Sequence, residues 1–319
     1  MLVIAHRGAS AYRPEHTLAA YRLAIEQGAD VIEPDVVATR DGVLVVRHEN
    51  EISQTTDIAS RPEFADRRRS KTIDGVERSG WFSEDLTLTE IRSLRATERL
   101  PGLRPASAAF DGRFAVPTLD EVLALADELG QARGRPVGVY PETKHPSWFR
   151  RIGLPLEVPL VHALRQSGRT GRGDPAWIQS FEVGNLELLR GQTRLRLVQL
   201  VEAEGGPADR AERSYRGMTT PDGLAAVATT ADVLGPPVSM VLNDDLTPTP
   251  LVGDAHRAGL AVHTWTVRPE NAFLPPSLQS SDRPGDKGGL AELVRALEAA
   301  GVDGVFTDDP ATTIAALGR

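Results

Sequence analysis

The sequence predicts an α/β protein: a TIM-type (β/α)8 barrel with a small subdomain inserted after its second strand. Three observations carry this prediction. Short β-rich runs alternate with longer helical patterns along all 319 residues, and about eight such units can be counted. The apolar runs also stop at polar residues, as barrel strands do where the catalytic loops gather. A doubly wound sheet is the alternative, but no glycine-rich dinucleotide turn follows the first run. The length suits one large barrel, so residues 1–319 read as a single domain.

The elements follow in order. Residues 2–6 form an apolar run with a polar tip. Residues 17–27 have helical periodicity, with Thr17 as cap and Gly28 as stop. Residues 29–37 and 43–48 are strand-like, and Asp41-Gly42 between them signals a hairpin. Further strands are expected at 137–143, 177–181, 195–201, 231–234, 261–267 and 304–307. Helices are expected at 159–166, 183–190, 222–230, 250–258, 290–300 and 310–317. Two stretches break the rhythm. Residues 51–116 are too long for one crossover and read as the inserted subdomain on the barrel's active face. Residues 269–289, rich in Pro, Ser and Gly, read as a lid or specificity loop.

Composition narrows the function. Hydrophobic residues make up 40% and charged residues 25%, enough for a packed core. The absence of cysteine excludes disulfides, thiolate metal sites and cysteine nucleophiles. A net charge of −8 argues against nucleic acid or anionic membrane as a partner. No stretch has the length and apolarity of a membrane span. No signal-peptide pattern opens the chain, so as written it is expected in the cytoplasm, and in the secreted or cell-envelope space if the true start lies upstream.

The chemistry sits at the strand ends: His6 and Arg7 on the first, Glu33 and Asp35 on the second, His48 on its hairpin partner, Glu142 and Lys144 on the third. Glu33 and Asp35 are two apart and share a strand face, so their carboxylates repel unless a cation intervenes. With Glu142 they form an all-oxygen ligand set for one divalent cation, Ca²⁺ favoured and Mg²⁺ the alternative. Interior charges paired with Arg or Lys are the plain alternative. His6 and His48 suit general acid–base work. Arg7 offers a planar fork, and Lys144 a point charge, for phosphate oxygens. With the cation and these two bases set against three carboxylates, a small positive charge remains, which suits a phosphodiester anion. Phe181 and Trp265 read equally as a wall against substrate and as barrel packing. His16 could touch substrate, but it opens a helix and reads rather as a backbone hydrogen-bonding residue, while His145, His162, His256 and His263 belong to no constellation. The basic run at 67–71 reads as a solvated face; otherwise it would greet a polyanion such as a teichoic acid polymer.

Several segments, AHRGAS (5–10), PEHTLAAY (14–21), GADVIEPDVVATRDGVLVVRHENEIS (28–53) and YPETKHP (140–146), closely resemble the glycerophosphodiester phosphodiesterase family. The likeness extends through 80–105, QSFE (179–182) and GVFTDDP (304–310), and the PEHT and PETKHP forms resemble its periplasmic-type, glycerophosphate-specific branch. The resemblance implies a TIM barrel that hydrolyses small glycerophosphodiesters to glycerol 3-phosphate and an alcohol. It also implies His6 and His48 as acid–base pair, Glu33, Asp35 and Glu142 as metal ligands, Arg7 and Lys144 as phosphate contacts, and Glu15 in support. Trp265 stands where the branch often has another aromatic, and the branch usually carries a secretion signal that is not seen here. A phospholipase-like enzyme would need an apolar rim or membrane helix, and a silent phosphodiester-binding protein would lack a histidine or ligand. Neither condition is met.

Overall fold

The computed structural model describes residues 1–319. Its strands are β1 (Leu2–His6), β2 (Val31–Glu33), β3 (Asp35–Ala38), β4 (Leu44–Val46), β5 (Arg69–Ile73), β6 (Val76–Gly80), β7 (Gly138–Val139), β8 (Glu142–Thr143), β9 (Trp177–Ser180), β10 (Arg196–Leu200), β11 (Val233–Gly235), β12 (Ala261–Val267) and β13 (Gly304–Thr307). Two expected strands are each interrupted by a proline, which has no N–H for the ladder. Pro34 separates β2 from β3, and Pro141 separates β7 from β8. Counted as single passes, β2/β3 and β7/β8 bring the barrel to eight parallel staves. The ring closes because β1 pairs with both β13 and β2, β2 with β7, and β3 with β8, which in turn pairs with β9.

The expected hairpin is present: β3 and β4 pair antiparallel, with Val36 opposite Val46, and Gly42 takes φ +78° in the turn. The first helix, Leu18–Glu26, is capped by Thr17, whose hydroxyl accepts from the Ala20 N–H at 3.1 Å, and Gly28 ends it at φ +97°. The longest helix, Leu119–Ala132, is absent from the helical patterns read from sequence. Its start was nonetheless legible, since Thr118 and Glu121 form a capping box.

Residues 51–116 contain the β5–β6 hairpin and several short helices. They are not sealed off from the barrel: Ile52, Ile58, Phe64, Leu86, Ile91, Leu94 and Val116 share one apolar cluster with Val36, Val45 and Val122. The 269–289 loop carries two 3-10 turns and buries Leu274 and Leu278 in a second cluster.

A third cluster positions the site. Ile4, Val31, Tyr140, Trp177, Val198 and Phe306 pack together inside the staves. Side chains two positions further along a strand face the same way. The next layer up therefore presents His6, Glu33, Glu142, Gln179, Leu200 and Asp308.

Candidate active site

Strand register assembles the polar layer. His6 lies beside Glu33, Asp35 beside Glu142, and Glu142 beside Gln179. The pairing of Ala5 with Thr307 sets Asp308 level with His6. Above this layer is a cavity of about 360 Å³, lined by His6, Arg7, Glu33, His48, Glu142, Lys144, Gln179, Phe181, Glu202, Trp265 and Arg268 among others. Every site residue expected from sequence lines it except Asp35, which is only 1% exposed.

Oxygens of Glu33, Asp35 and Glu142 lie within 4.8 Å of one another, all three side chains buried. Glu33 accepts from the Arg7 backbone N–H at 2.9 Å and from the Gln179 amide at 3.0 Å. Lys144 Nζ donates to Glu142 at 2.7 Å and lies 3.6 Å from Asp35 Oδ1. Burial, with Asp35 and Glu142 as neighbours, holds the Glu33 carboxyl well above its usual range. Burial and Asp35 push Glu142 up to about 8 against the pull of Lys144. Burial opposes the charge on Asp35 too, but Lys144, His48 and His16 keep it well below the ordinary value.

Asp35 Oδ1 is buried with no hydrogen-bond partner. With only the Lys144 ammonium 3.6 Å away and no hydrogen bond, this anionic oxygen sits beside two carboxyls driven towards protonation, a donor set that one ammonium leaves under-compensated. The residues present therefore fit a hard divalent ion.

The two histidines are held alike. His6 Nδ1 donates to Asp308 Oδ1 and His48 Nδ1 to Glu49 Oε1, each at 2.6 Å. Arg104, His6 and Arg268 keep Asp308 ionised against the effect of burial, and His48 and Arg99 do the same for Glu49. An ionised carboxylate can only accept, so Nδ1 carries the proton and Nε2 is left as the free nitrogen. Burial and then Arg7 lower His6 to about 4; burial, Arg7 and Lys144 lower His48 to about 3. Both imidazoles are neutral at pH 7.

Arg7 reaches the cavity but is also tied to Glu15 at 3.1 and 3.2 Å, and Arg99 grips the same carboxylate at 2.7 and 2.8 Å. Phe181 and Trp265 meet edge to face at 5.9 Å on the cavity wall, so they are not interior packing alone.

The reading of His16 as a backbone partner is corrected. Its ring is fully buried, with Nε2 at 2.8 Å from Asp35 Oδ2 and Nδ1 at 2.7 Å from the Tyr21 hydroxyl. A left-handed backbone, φ +57°, turns the side chain inward rather than along the helix start. Of the remaining histidines, His256 pairs with Asp303 at 2.8 Å, and His263 bonds Tyr140 in the barrel floor at 2.9 Å. Sequence reasoning assigned no site role to Asp308, Glu49 or Gln179. The strand-end rule that found His6 marks Asp308 as a polar stop too, without showing that it meets His6.

Comparison with known proteins agrees with this architecture. Residues 6–312 match the family model described as the glycerophosphoryl diester phosphodiesterase family. A glycerophosphodiester phosphodiesterase of Arabidopsis thaliana is 33% identical, the alignment covering 96% of this chain and 82% of the relative. One of Haemophilus influenzae is 29% identical, over 98% and 88%. Among solved structures, a putative glycerophosphoryl diester phosphodiesterase of Silicibacter pomeroyi superposes with a TM-score of 0.69 at 24% identity, covering 99% of this chain and 93% of that one. A phosphodiesterase of Oleispira antarctica, in complex with the product sn-glycerol-3-phosphate, gives 0.67 at 20% identity, over 100% and 97%. At these identities the structures speak to the fold, which is shared. With the family model spanning nearly its whole length, the chain belongs to the glycerophosphoryl diester phosphodiesterase family of hydrolases.

Proposed function

We propose that the enzyme hydrolyses small glycerophosphodiesters to sn-glycerol 3-phosphate and an alcohol by histidine acid–base catalysis, with one divalent cation held by Glu33, Asp35 and Glu142. The observation that carries this reading is the pairing of two carboxylate-oriented histidines with a three-carboxylate cluster around one cavity.

The protein's own residues supply most of the mechanism. Arg7 and Lys144 bind the phosphate oxygens, and Phe181 with Trp265 forms an apolar wall against the glycerol backbone or the leaving alcohol. One imidazole takes the proton of the attacking water, or of the substrate's own 2-hydroxyl on a route through a cyclic phosphate, at its free Nε2. The other gives a proton to the departing alkoxide. A seated phosphodiester anion raises both imidazole pKa values, which is what charges the acid. A cation bound at the carboxylates supplies Lewis-acid polarisation of a phosphate oxygen and a template for glycerol hydroxyls. Three protein carboxylates favour Ca²⁺, since Mg²⁺ usually keeps more of its water.

The product complex of the Oleispira relative supports glycerol 3-phosphate as product. A teichoic acid polymer has less support, because Lys71 of the basic run is committed to Glu84 and Asp85 at 2.9 and 2.8 Å. We read residues 51–116 as a subdomain of the single barrel domain that narrows the site around small diesters. No helix is long and apolar enough to cross a membrane. The test is product analysis on glycerophosphocholine, glycerophosphoglycerol and a teichoic acid, with and without EDTA. Metal-dependent release of glycerol 3-phosphate from the small diesters is expected, and release of a phosphorylated alcohol instead would overturn the reading.

A further inference from the structure

The carboxylates that orient the two histidines are themselves held, and by the same device. Asp308, with one oxygen on His6, gives the other to Arg104 Nη2 at 2.6 Å. Arg104 also grips Glu270 at 2.7 and 3.1 Å and donates from Nη1 to the Ser10 carbonyl at 2.9 Å. Glu49, which holds His48, takes Arg99 at 2.7 and 3.0 Å, and that guanidinium bridges to Glu15. Each histidine thus rests on a carboxylate, and each carboxylate on a planar fork that spans two acids. Both arginines come from residues 51–116, on either side of a turn in which the Leu103 and Arg104 N–H groups donate to the Leu100 carbonyl. The barrel contributes the histidines, their carboxylates and a further contact from Arg268 to Asp308 at 3.2 Å, but neither fork.

Stability alone explains this poorly. Buried ion pairs of this kind often do no better than apolar packing of equal volume. A carboxylate that must hold one imidazole tautomer, however, needs its own rotation stopped, and a two-acid fork stops it. We propose that Arg99 and Arg104 are positioning residues for His48 and His6 respectively, so that docking of the inserted segment on the barrel is what completes the acid–base pair. This rests on the histidine mechanism above.

The test pairs each arginine with its own histidine. In the metal-loaded enzyme, Arg104→Met, Arg104→Lys, Arg99→Met and Arg99→Lys are compared with His6→Ala and His48→Ala. The substrates are glycerophosphocholine and an aryl glycerophosphodiester, whose leaving group needs no proton. Arg104→Met should lower kcat on glycerophosphocholine by about 10–100-fold, the usual effect of removing an outer-shell partner, with KM changed much less. The aryl substrate should rescue only the histidine that acts as acid and the arginine on that histidine's side. Should a Met variant not fold, its Lys counterpart, which keeps the charge but loses the fork, must show the same pattern. Near-normal kcat in the Arg104 and Arg99 variants beside a collapse in His6→Ala and His48→Ala would overturn this inference and spare the mechanism. Near-normal kcat in both histidine variants would overturn both.

Discussion

His16 and Asp35 are joined at 2.8 Å, Nε2 to Oδ2, with both side chains closed to solvent. Burial lowers the imidazole pKa, and the ring bridges the Asp35 carboxylate and the Tyr21 hydroxyl, which itself donates to the Glu33 carbonyl at 3.2 Å. The pair fixes one oxygen of a metal-ligand candidate and leaves Oδ1 without a hydrogen bond, with the Lys144 ammonium 3.6 Å away. His16→Ala should therefore weaken cation affinity by about 10–100-fold while excess cation restores activity. Titrating the stripped variant with Ca²⁺ and Mg²⁺ checks this, and an unchanged midpoint would remove His16 from the metal site.

Chelation gives the second prediction. EDTA should abolish activity, with Ca²⁺ or Mg²⁺ restoring it. The cation should also raise the melting temperature, since a ligand at about 100 times its Kd stabilises the folded state by about 2.7 kcal/mol. Glu33→Gln should reduce that thermal shift more than it lowers the melting temperature of the stripped protein, because it relieves carboxylate repulsion while removing a ligand. Full activity in exhaustively chelated enzyme would contradict the metal assignment.

A third prediction concerns acid stability. His6 and His263 are both held at about 4 in the folded protein, chiefly by burial, against 6.5 as the reference value. A histidine whose folded pKa is lowered contributes stability that is complete above the unfolded value and is lost as pH falls towards the folded one. These two histidines should accordingly pull the unfolding free energy down between about pH 6.5 and 4, against the opposite pull of Glu33 and Glu142, whose raised carboxyls favour the folded state as pH falls. His6→Gln should flatten that slope relative to its own stability at pH 7, as read by urea unfolding. An unaltered slope in this variant would deny the buried, neutral His6.

The barrel and most of its site were legible because both depend on alternation along single strands. Glu33 and Asp35 announce themselves as two acids on one face, and His6, Arg7, Glu142 and Lys144 as polar stops after apolar runs. The remainder depends on which strands become neighbours. Asp308 matters because β13 closes against β1, a pairing of residues some three hundred positions apart that no local pattern encodes. Arg99 and Arg104 lie in a segment whose strand and helix signals are weak, and nothing in their spacing points to the acids they clamp. His16 was misread because its inward turn depends on one left-handed residue, which histidine adopts only when its surroundings hold it. Pro34 and Pro141 could have warned that strands two and three would each break.

The most direct test of the central claim is kcat for His6→Ala and His48→Ala on glycerophosphocholine, set beside an aryl glycerophosphodiester. Both imidazoles have Nδ1 fixed by a carboxylate and line one cavity with Arg7, Lys144 and the acidic cluster. Each single variant should lose at least about 100-fold in kcat on the unactivated diester, with KM far less affected because the phosphate contacts remain. The double variant should be little worse than either, as residues acting as one unit are not additive. The aryl substrate should rescue one variant only, and that one lacks the acid. If either histidine variant keeps near-normal kcat on glycerophosphocholine, the two-histidine mechanism is contradicted.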